Sequence, residues 1–413
     1  MVPLQFAYWV PNVSGGLVVS KIPQRTDHSL EYNVKLAQIA EDHGFNFALT
    51  QIRFLASYGA DEQHESVSFS HAILAQTKRL QVIAAVLPGP WNPTLAAKVL
   101  AGIHLYTGGR IAVNVVSGWF KQEFISIGEP WLEHEERYRR SSEFIQVLRG
   151  IWSQSPFNFA GEYYKYVDYN LSPKPIAIKA AESEDLSPAY PTIFMGGNSV
   201  SARTMASTYC DWFFMNGNTD QVISDYILDV RKQSHALGRV VKTAVNGFVI
   251  LRDTEEEAVA QLNAIINGAD LEAVAKFNEA VKEAGQSAKG GQGMWATASL
   301  KDNVQFNEGF RTGLIGTAEI IARRIIHLKS LGVDLVLTAY LHFQEEIVEF
   351  AEKVMPLVRK YEEEAIASGE ASKWPTFDNY PALSNGTNGA KREGQDEGED
   401  VASATKKSKI TPA

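Results

Sequence analysis

The chain carries a single cysteine, Cys210, in 413 residues. One thiol excludes an internal disulfide framework and a cysteine-built metal cluster, and it suits a reducing compartment. Its setting, "TYCDWFF", reads as a buried strand rather than as a nucleophile site. No apolar run is long enough to span a bilayer, which argues against a membrane protein. "MVPLQFAYWV" lacks the basic region and long apolar stretch of a secretory signal, so the expected location is cytoplasmic. Positive charge is scarce too: 39 Lys and Arg stand against 48 Asp and Glu, for a net charge of −9. That balance, without a basic run interleaved with aromatics, argues against nucleic acid as a partner.

Other absences narrow the chemistry. No apolar run leads into G-x-G-x-x-G, so a dinucleotide-binding Rossmann unit is not indicated. Paired carboxylates are missing from the ends of the expected strands, which excludes ordinary glycoside hydrolysis. No lysine stands at such an end either, so a Schiff-base lyase or aldolase is not supported. "HES" (64–66) and "EHEERYRR" (133–140) lack convincing metal-ligand spacing, and no metal is expected.

What is present is a regular alternation. Apolar runs at 4–10, 46–52, 80–87, 110–116, 191–197, 211–217, 242–251 and 333–341 read as strands apolar on both faces, as in a parallel sheet covered by helices. Amphipathic segments fall between them, at 29–44, 65–77, 93–107, 135–152, 199–208, 219–237 and 317–331. Gly44 is placed to end the first helix and Thr317 to cap the last. The count of about eight strand–helix units predicts an α/β fold, a (β/α)8 TIM barrel with insertions, although an open doubly wound sheet gives the same alternation. One insertion, 153–190, reads as a hairpin plus an excursion; another, within 268–315, holds the Gly-rich "GQSAKGGQGMW" and reads as a mobile lid over 285–293, flanked by Trp295 and Arg311. Residues 1–365 form the expected domain, and 366–413 a polar, disordered tail.

Barrel chemistry gathers where the strands end in their C-terminal direction. Those ends offer Trp9, Asn12, Gln51, Arg53, Trp91, Asn114, Ser117, Asn216, Asn218, Tyr340 and His342. The set is rich in amides and rings. "MGGNSVSA" (195–202) runs a strand through Gly196 and Gly197 into Asn198 and Ser199, and so presents free backbone N–H groups at a helix start, a cradle for phosphate or an ordinary turn. "EERYRR" (135–140) is either a solvated helix face or a source of one Arg and one Tyr for that phosphate. Together with the mouth aromatics Trp9, Trp91, Trp119, Phe120 and Tyr340, the pattern suits a planar ring with a phosphate at one end, as in FMN.

"GGRIAVNVVSGWF" (108–120), "LEHEERYRRSSEFI" (132–145), "IFMGGNSVSARTMA" (193–206) and "GVDLVLTAYLHFQEE" (332–346) occur in an order and spacing that resembles the bacterial luciferase-like flavin monooxygenases. The similarity extends over 4–360 and lies with the sulfur-scavenging branch of alkanesulfonate and dimethylsulfone monooxygenases, on "LTQIRF" (49–54), "QHES" (63–66) and "LPGPW" (87–91). The resemblance implies a homo-oligomeric TIM barrel that takes reduced FMN from a separate NAD(P)H:FMN reductase and uses O2 to cleave the carbon–sulfur bond of a small sulfone. It implies Gln51, Asn114 and Ser117 near the flavin ring, and Arg137, Tyr138, Gly197, Asn198 and Ser199 at its phosphate. Trp9, Trp91, Trp119 and Phe248 are implied as walls of the substrate pocket. Where alkanesulfonate enzymes carry an Arg and a His on the seventh strand, this chain has Asn246 and Phe248, which fits a neutral sulfone better than a sulfonate. Arg53, His64, Tyr340 and His342 are the catalytic candidates. An alkanesulfonate monooxygenase, a deazaflavin-dependent oxidoreductase of the same fold and a flavin-binding protein without turnover are the alternatives.

Overall fold

Eight of the apolar runs pair edge to edge, in chain order, into one closed parallel barrel. In the computed structural model, which describes residues 2–56, 59–179, 187–288 and 293–375, the barrel strands are β1 (Gln5–Trp9), β2 (Phe47–Leu49), β3 (Gln81–Val86), β4 (Ile111–Val115), β7 (Thr192–Gly196), β8 (Trp212–Met215), β9 (Lys242–Phe248) and β12 (Leu335–Ala339). The hairpin β5 (Phe157–Ala160) and β6 (Lys165–Tyr169) lies in the insertion after β4, as the aromatic-rich sequence there suggested. Closure resolves the choice between barrel and open sheet, since β1 pairs with both β2 and β12.

Two-residue periodicity makes each strand apolar on two faces. Inward, Ala7, Phe47, Leu49, Ile83, Ala112, Phe194, Trp212, Ala244, Leu335 and Leu337 fill the barrel, with Phe194 stacked on Trp212 at 5.2 Å. Outward, Phe6, Tyr8, Val82, Val113, Ile193, Phe213 and Val245 join the larger core shared with the helices. The barrel is therefore a packed interior and not a pore, which confines any ligand to its rim.

The helices are α1 (Leu30–Asp42), α2 (Ser66–Leu74), α3 (Pro93–Tyr106), α4 (Lys121–Ser126), α5 (His134–Ser153), α6 (Val200–Tyr209), α7 (Asp220–Ala236), α8 (Glu255–Asn267), α9 (Leu271–Gln286), α10 (Ala318–Ser330), α11 (Phe343–Lys353) and α12 (Met355–Ala367). Thr317 caps α10 through its hydroxyl, which accepts from Ile320 N at 3.4 Å. Gly44 follows α1 with φ +83°, a conformation glycine adopts without cost.

Three expectations change. The run 242–251 is two strands: the chain leaves the barrel after Phe248, and β10 (Ile250–Leu251) pairs instead with β11 (Ile315–Gly316). The insertion within 268–315, for which no helix was expected, begins with the helix α9, which buries Val274, Phe277 and Val281 at helical spacing. Of the expected lid, residues 289–292 lie outside the described residues. Part of the stretch expected to be a polar tail is ordered, because α12 runs to Ala367 and a 3-10 turn follows over Glu370–Lys373; residues 376–413 lie outside the described residues. Among the described residues, no helix is long and apolar enough to cross a membrane.

Candidate functional site

A cleft of about 1120 Å³ opens at the C-terminal rim of the barrel. Every barrel strand contributes to its wall: Trp9, Leu49, Ala85, Asn114, Gly196, Phe214, Asn246 and Leu337 come from the eight strands in turn. A second cavity adjoins it and shares Val116, Trp119, Gly196, Met294 and Trp295 with the first, so the two form the ends of one elongated site.

The second cavity is the polar end. Ser117, Gly118, His134, Arg137, Tyr138 and Ser199 line it. Ser199 caps α6 by accepting from Ala202 N at 3.2 Å, which leaves the positive end of a ten-residue helix facing the cavity. Gly197 is required sterically, because a Cβ there would stand 2.8 Å from both the Tyr138 hydroxyl and Ala202 Cβ. Burial raises the Tyr138 hydroxyl pKa against the opposing pull of Ser199 and Arg137, so at neutral pH the hydroxyl keeps its proton and remains a donor. Arg137 is nearly fully buried; its Nε donates to Gly118 O (3.0 Å), its Nη1 donates to Leu132 O (2.7 Å), and its guanidinium lies 4.1 Å from the Trp131 ring centre. It braces the loop between β4 and α5 as well as facing the cavity. The rest of "EERYRR" divides: Arg139 is solvent-exposed beside Glu162, whereas Arg140 is buried against Phe124.

Aromatics and amides make the other end. Trp119 meets Trp295 at 5.3 Å and Phe277 edge-on at 5.7 Å, and Phe277 meets Phe306 at 5.3 Å. Arg53 lies 4.5 Å above the Trp119 ring and donates through Nη1 to Ile52 O. Trp9 is fixed by its indole N–H, which donates to Asn246 Oδ1 at 2.6 Å. Asn246 in turn donates to Asn307 O at 2.9 Å. Gln51 lines the cleft with its side-chain amide donating to Val10 O at 3.3 Å.

Among the described residues, three residues lining this site carry a buried polar atom without a hydrogen-bond partner, Gln63 Nε2, Asn114 Oδ1 and Ser117 Oγ, and Asn198 Oδ1, next to the capping Ser199, is in the same state. Leaving buried polar atoms unpaired costs about 1–3 kcal/mol each; such atoms also occur elsewhere in the fold, at Tyr8, Asn33 and Arg231 among others, but those of Gln63, Asn114 and Ser117 belong to residues lining a cavity large enough for a ligand. An apolar end with amide acceptors, joined to a cradle of hydroxyls and a helix N-terminus, fits a planar heterocycle carrying a phosphate.

Of the eight residues expected to hold the flavin, Gln51 and Asn114 line the aromatic end, while Arg137, Tyr138 and Ser199 line the polar end together with Ser117, which was expected near the ring; Gly197 and Asn198 precede Ser199 in the turn and line neither cavity. The pocket walls divide. Trp9 and Trp119 line the cleft; Trp91 packs behind it on the cluster of Ile52, Ala85, Leu87 and Phe124, and Phe248 is buried against Phe310 at 5.2 Å. Of the catalytic candidates, Arg53 lines the cleft. The His64 ring stacks on Phe69 at 5.0 Å and on His28 at 5.6 Å. Tyr340 is sealed in the outer core against Phe343 and Phe350, where burial drives its pKa well up. His342 sits at the start of α11, its Nδ1 accepting from Arg25 N, in a surface groove of charged residues away from the cleft.

Sequence reading passed over His134, Phe277, Met294, Phe306, Asn307 and the acid Glu308. His134 adjoins the "ERY" motif, and its ring lies 4.8 Å from that of Tyr138. The others come from the 268–315 insertion, whose local pattern says nothing about which rim it covers.

A sequence model described as luciferase-like monooxygenase matches residues 4–335. The chain is 58% identical to an FMNH2-dependent dimethylsulfone monooxygenase of Pseudomonas putida over 366 residues, covering 89% of this chain and 98% of that one. An enzyme of the same name from Pseudomonas fluorescens (strain Pf0-1) is 57% identical, covering 88% and 96%. Among solved structures, DmoA from Hyphomicrobium sulfonivorans has the same fold, with a TM-score of 0.70 at 19% identity over 87% of this chain and 89% of that one. The closed barrel, the cleft across its rim and the match over most of its length show that this chain belongs to the luciferase-like monooxygenase family.

Proposed function

We propose that the protein is an FMNH2-dependent monooxygenase that converts dimethylsulfone and O2 to methanesulfinate, formaldehyde and water, with residues 1–365 as its catalytic domain. The observation that carries the reading is one elongated cleft whose ends differ as the ends of FMN differ, with the unpartnered buried atoms Asn114 Oδ1 on the lining of one end and Ser117 Oγ on the lining of the other. The sulfone is suggested by the two Pseudomonas relatives. A separate NAD(P)H:FMN reductase would supply the reduced flavin, the enzyme would assemble as a homo-oligomer, and both proteins would work in the cytoplasm.

In this reading Tyr138, Ser117, Ser199 and the backbone at Gly197 hold the phosphate, while Gln51 and Asn114 orient the ring. Bound reduced FMN supplies the two electrons that let one atom of O2 enter the aldehyde and the other leave as water. Trp9, Trp119, Phe277 and Trp295 keep the reacting end dry, which prevents loss of reducing power to hydrogen peroxide. Arg53, a fixed cation over Trp119, is the charged group placed to stabilise negative charge developing on the sulfinate. The seventh-strand amide Asn246 accepts from the Trp9 indole and donates to Asn307 O, and being neutral it offers no cation to a sulfonate.

The test is anaerobic titration with reduced FMN, followed by oxygen and dimethylsulfone, with formaldehyde as the readout. Stoichiometric formaldehyde is expected. Flavin binding without formaldehyde would leave only a flavin-binding protein, and turnover with a reduced deazaflavin in place of FMN would move the chain to the other branch of the fold.

A further inference from the structure

Two amides at the rim, Asn216 after β8 and Asn246 on β9, both line the cleft but are held differently. Asn246 has its oxygen on the Trp9 indole and its nitrogen on Asn307 O. Asn216 donates one N–H of Nδ2 to Glu308 Oε2 at 3.2 Å, which turns the nitrogen edge of the amide toward the carboxylate and the Oδ1 edge away from it.

Glu308 does not line the cleft. It is 1% exposed, adopts a left-handed backbone with φ 55°, and places its other oxygen 2.6 Å from Arg311 Nη1. Arg311 Nη2 donates onward to Asn218 Oδ1 at 3.1 Å. Gly217 fits between the two asparagines, because a Cβ there would stand 2.2 Å from Glu308 O and 2.6 Å from Thr312 Oγ1. The turn bearing Glu308 is thus seated directly on the end of β8. Removing a carboxylate from water is costly unless partners replace the water, and here those partners include an arginine and an amide that faces the cleft. Burial raises the Glu308 pKa, and the Asn216 and Arg311 contacts oppose that shift.

We propose that Glu308 is a positioning residue for the ring end of the site: it accepts from Asn216 and so orients that amide with a carbonyl oxygen, and not an N–H, toward the ligand. The ligand class selected is a planar ring with an N–H donor on its edge, which the reduced flavin ring provides; the inference rests on the flavin reading above. An ionised carboxylate can only accept hydrogen bonds, and Arg311 can only donate them, so the arrangement fixes the direction of every bond from Arg311 to the cleft.

That logic makes the isosteric change informative. In Glu308→Gln the new amide must offer its oxygen to Arg311, so its N–H faces Asn216, and the Asn216 amide turns over to show N–H to the cleft. Reduced FMN, titrated anaerobically by quenching of tryptophan fluorescence, is expected to bind about tenfold more weakly, the effect of one mismatched hydrogen bond. The double variant Glu308→Gln with Asn216→Asp moves the carboxylate across the same bond and restores an oxygen to the cleft; affinity is expected to return to within about threefold of the parent. Asn216→Leu removes the acceptor directly, with a similar tenfold loss expected, and it decides the matter should Glu308→Gln fail to fold by circular dichroism. If the parent protein does not bind reduced FMN, the flavin reading itself fails. If the parent binds and both Glu308→Gln and Asn216→Leu match it, the positioning role is overturned. If the double variant stays as weak as Glu308→Gln, Glu308 is structural support and the polarity argument is wrong.

Discussion

The two ends of the cleft are built by opposite means. The polar end is assembled from short local motifs, with Ser117 just past β4, Tyr138 on α5, and Gly197 to Ser199 at the turn into α6. Its geometry depends on glycine, a helix cap and hydroxyls. The aromatic end is assembled over long distances: Trp119 from the β4 loop meets Phe277 and Trp295 from an insertion roughly 160 to 180 residues further along the chain, and Phe306 of the same insertion packs on Phe277. The first design tolerates almost no added volume. The second depends on many contacts, none of them unique, and should tolerate single changes better.

The sharpest way to test that contrast is to add a side chain at the polar end. Gly197→Val places carbon where the Tyr138 hydroxyl and Ala202 stand 2.8 Å away. Overpacking of this kind costs about 1–3 kcal/mol of stability, and the cradle closes as well. The FMN dissociation constant is expected to rise about a hundredfold or more, measured by fluorescence titration. Binding at parental strength would show that the phosphate lies elsewhere. Phe306→Leu, at the aromatic end, is expected to change the same constant by less than about threefold, because a volume-similar apolar swap is usually absorbed.

A smaller effect separates ligand contacts from structural ones. Asn114 Oδ1 and Ser117 Oγ are buried and unpartnered among the described residues. Ser117→Ala and Asn114→Leu should therefore leave the ligand-free protein as stable as the parent, or slightly more stable, because an unpaired buried group is removed. Each should weaken flavin binding about tenfold. Thermal melts with and without FMN report both quantities, and a large loss of stability without FMN would mean that these atoms have partners in the fold.

The ends should also differ in pH response. His134, beside Tyr138 at the polar end, has its pKa lowered by burial, with Glu135 opposing, while the wall amides Gln51, Asn114, Asn216 and Asn246 at the aromatic end do not titrate. A base whose folded pKa lies below its unfolded value of 6.5 stabilises the fold above pH 6.5, and that contribution is lost as the pH falls below it. The ligand-free melting temperature is expected to drop between pH 7.5 and 5.5, with His104 and His342, also lowered by burial, adding to the drop. His134→Gln should flatten part of that slope, and an unchanged slope would remove His134 from the account.

The same contrast explains what was legible in the sequence. All eight barrel strands could be placed from apolar runs, because a strand buried on both faces declares itself locally. The turn proposed to hold the phosphate was legible for a similar reason: Gly196 ends β7, and Gly197, Asn198 and the capping Ser199 lead directly into α6. The helix α9 was also written locally, in Val274, Phe277 and Val281, but it runs directly into a Gly-rich stretch whose composition is that of a loop. The seating of Phe277 and Glu308 at the rim was not legible, because nothing in "FNEGFRTG" states which strand end the turn will cover. Tyr340 and His342 mark the reverse failure. They follow a barrel strand, as a site residue should, yet a strand's side chains alternate, and these two fall on the outer face and at a helix start.

The smallest expected effects therefore fall on those misplaced candidates. Tyr340→Phe removes a hydroxyl from the outer core, where burial already drives its pKa far above neutrality. A phenol in that state neither gives nor takes a proton at pH 7, so kcat with dimethylsulfone should change by less than about twofold. His342→Asn removes a ring whose Nδ1 serves Arg25 N at the surface; stability should fall by no more than about 1 kcal/mol, with kcat unchanged. Arg53→Met provides the contrast, because it keeps most of the volume over Trp119 and removes the charge: kcat is expected to fall tenfold or more while the FMN affinity holds. If Tyr340→Phe lost activity and Arg53→Met kept it, the cleft described here would not be where the carbon–sulfur bond breaks.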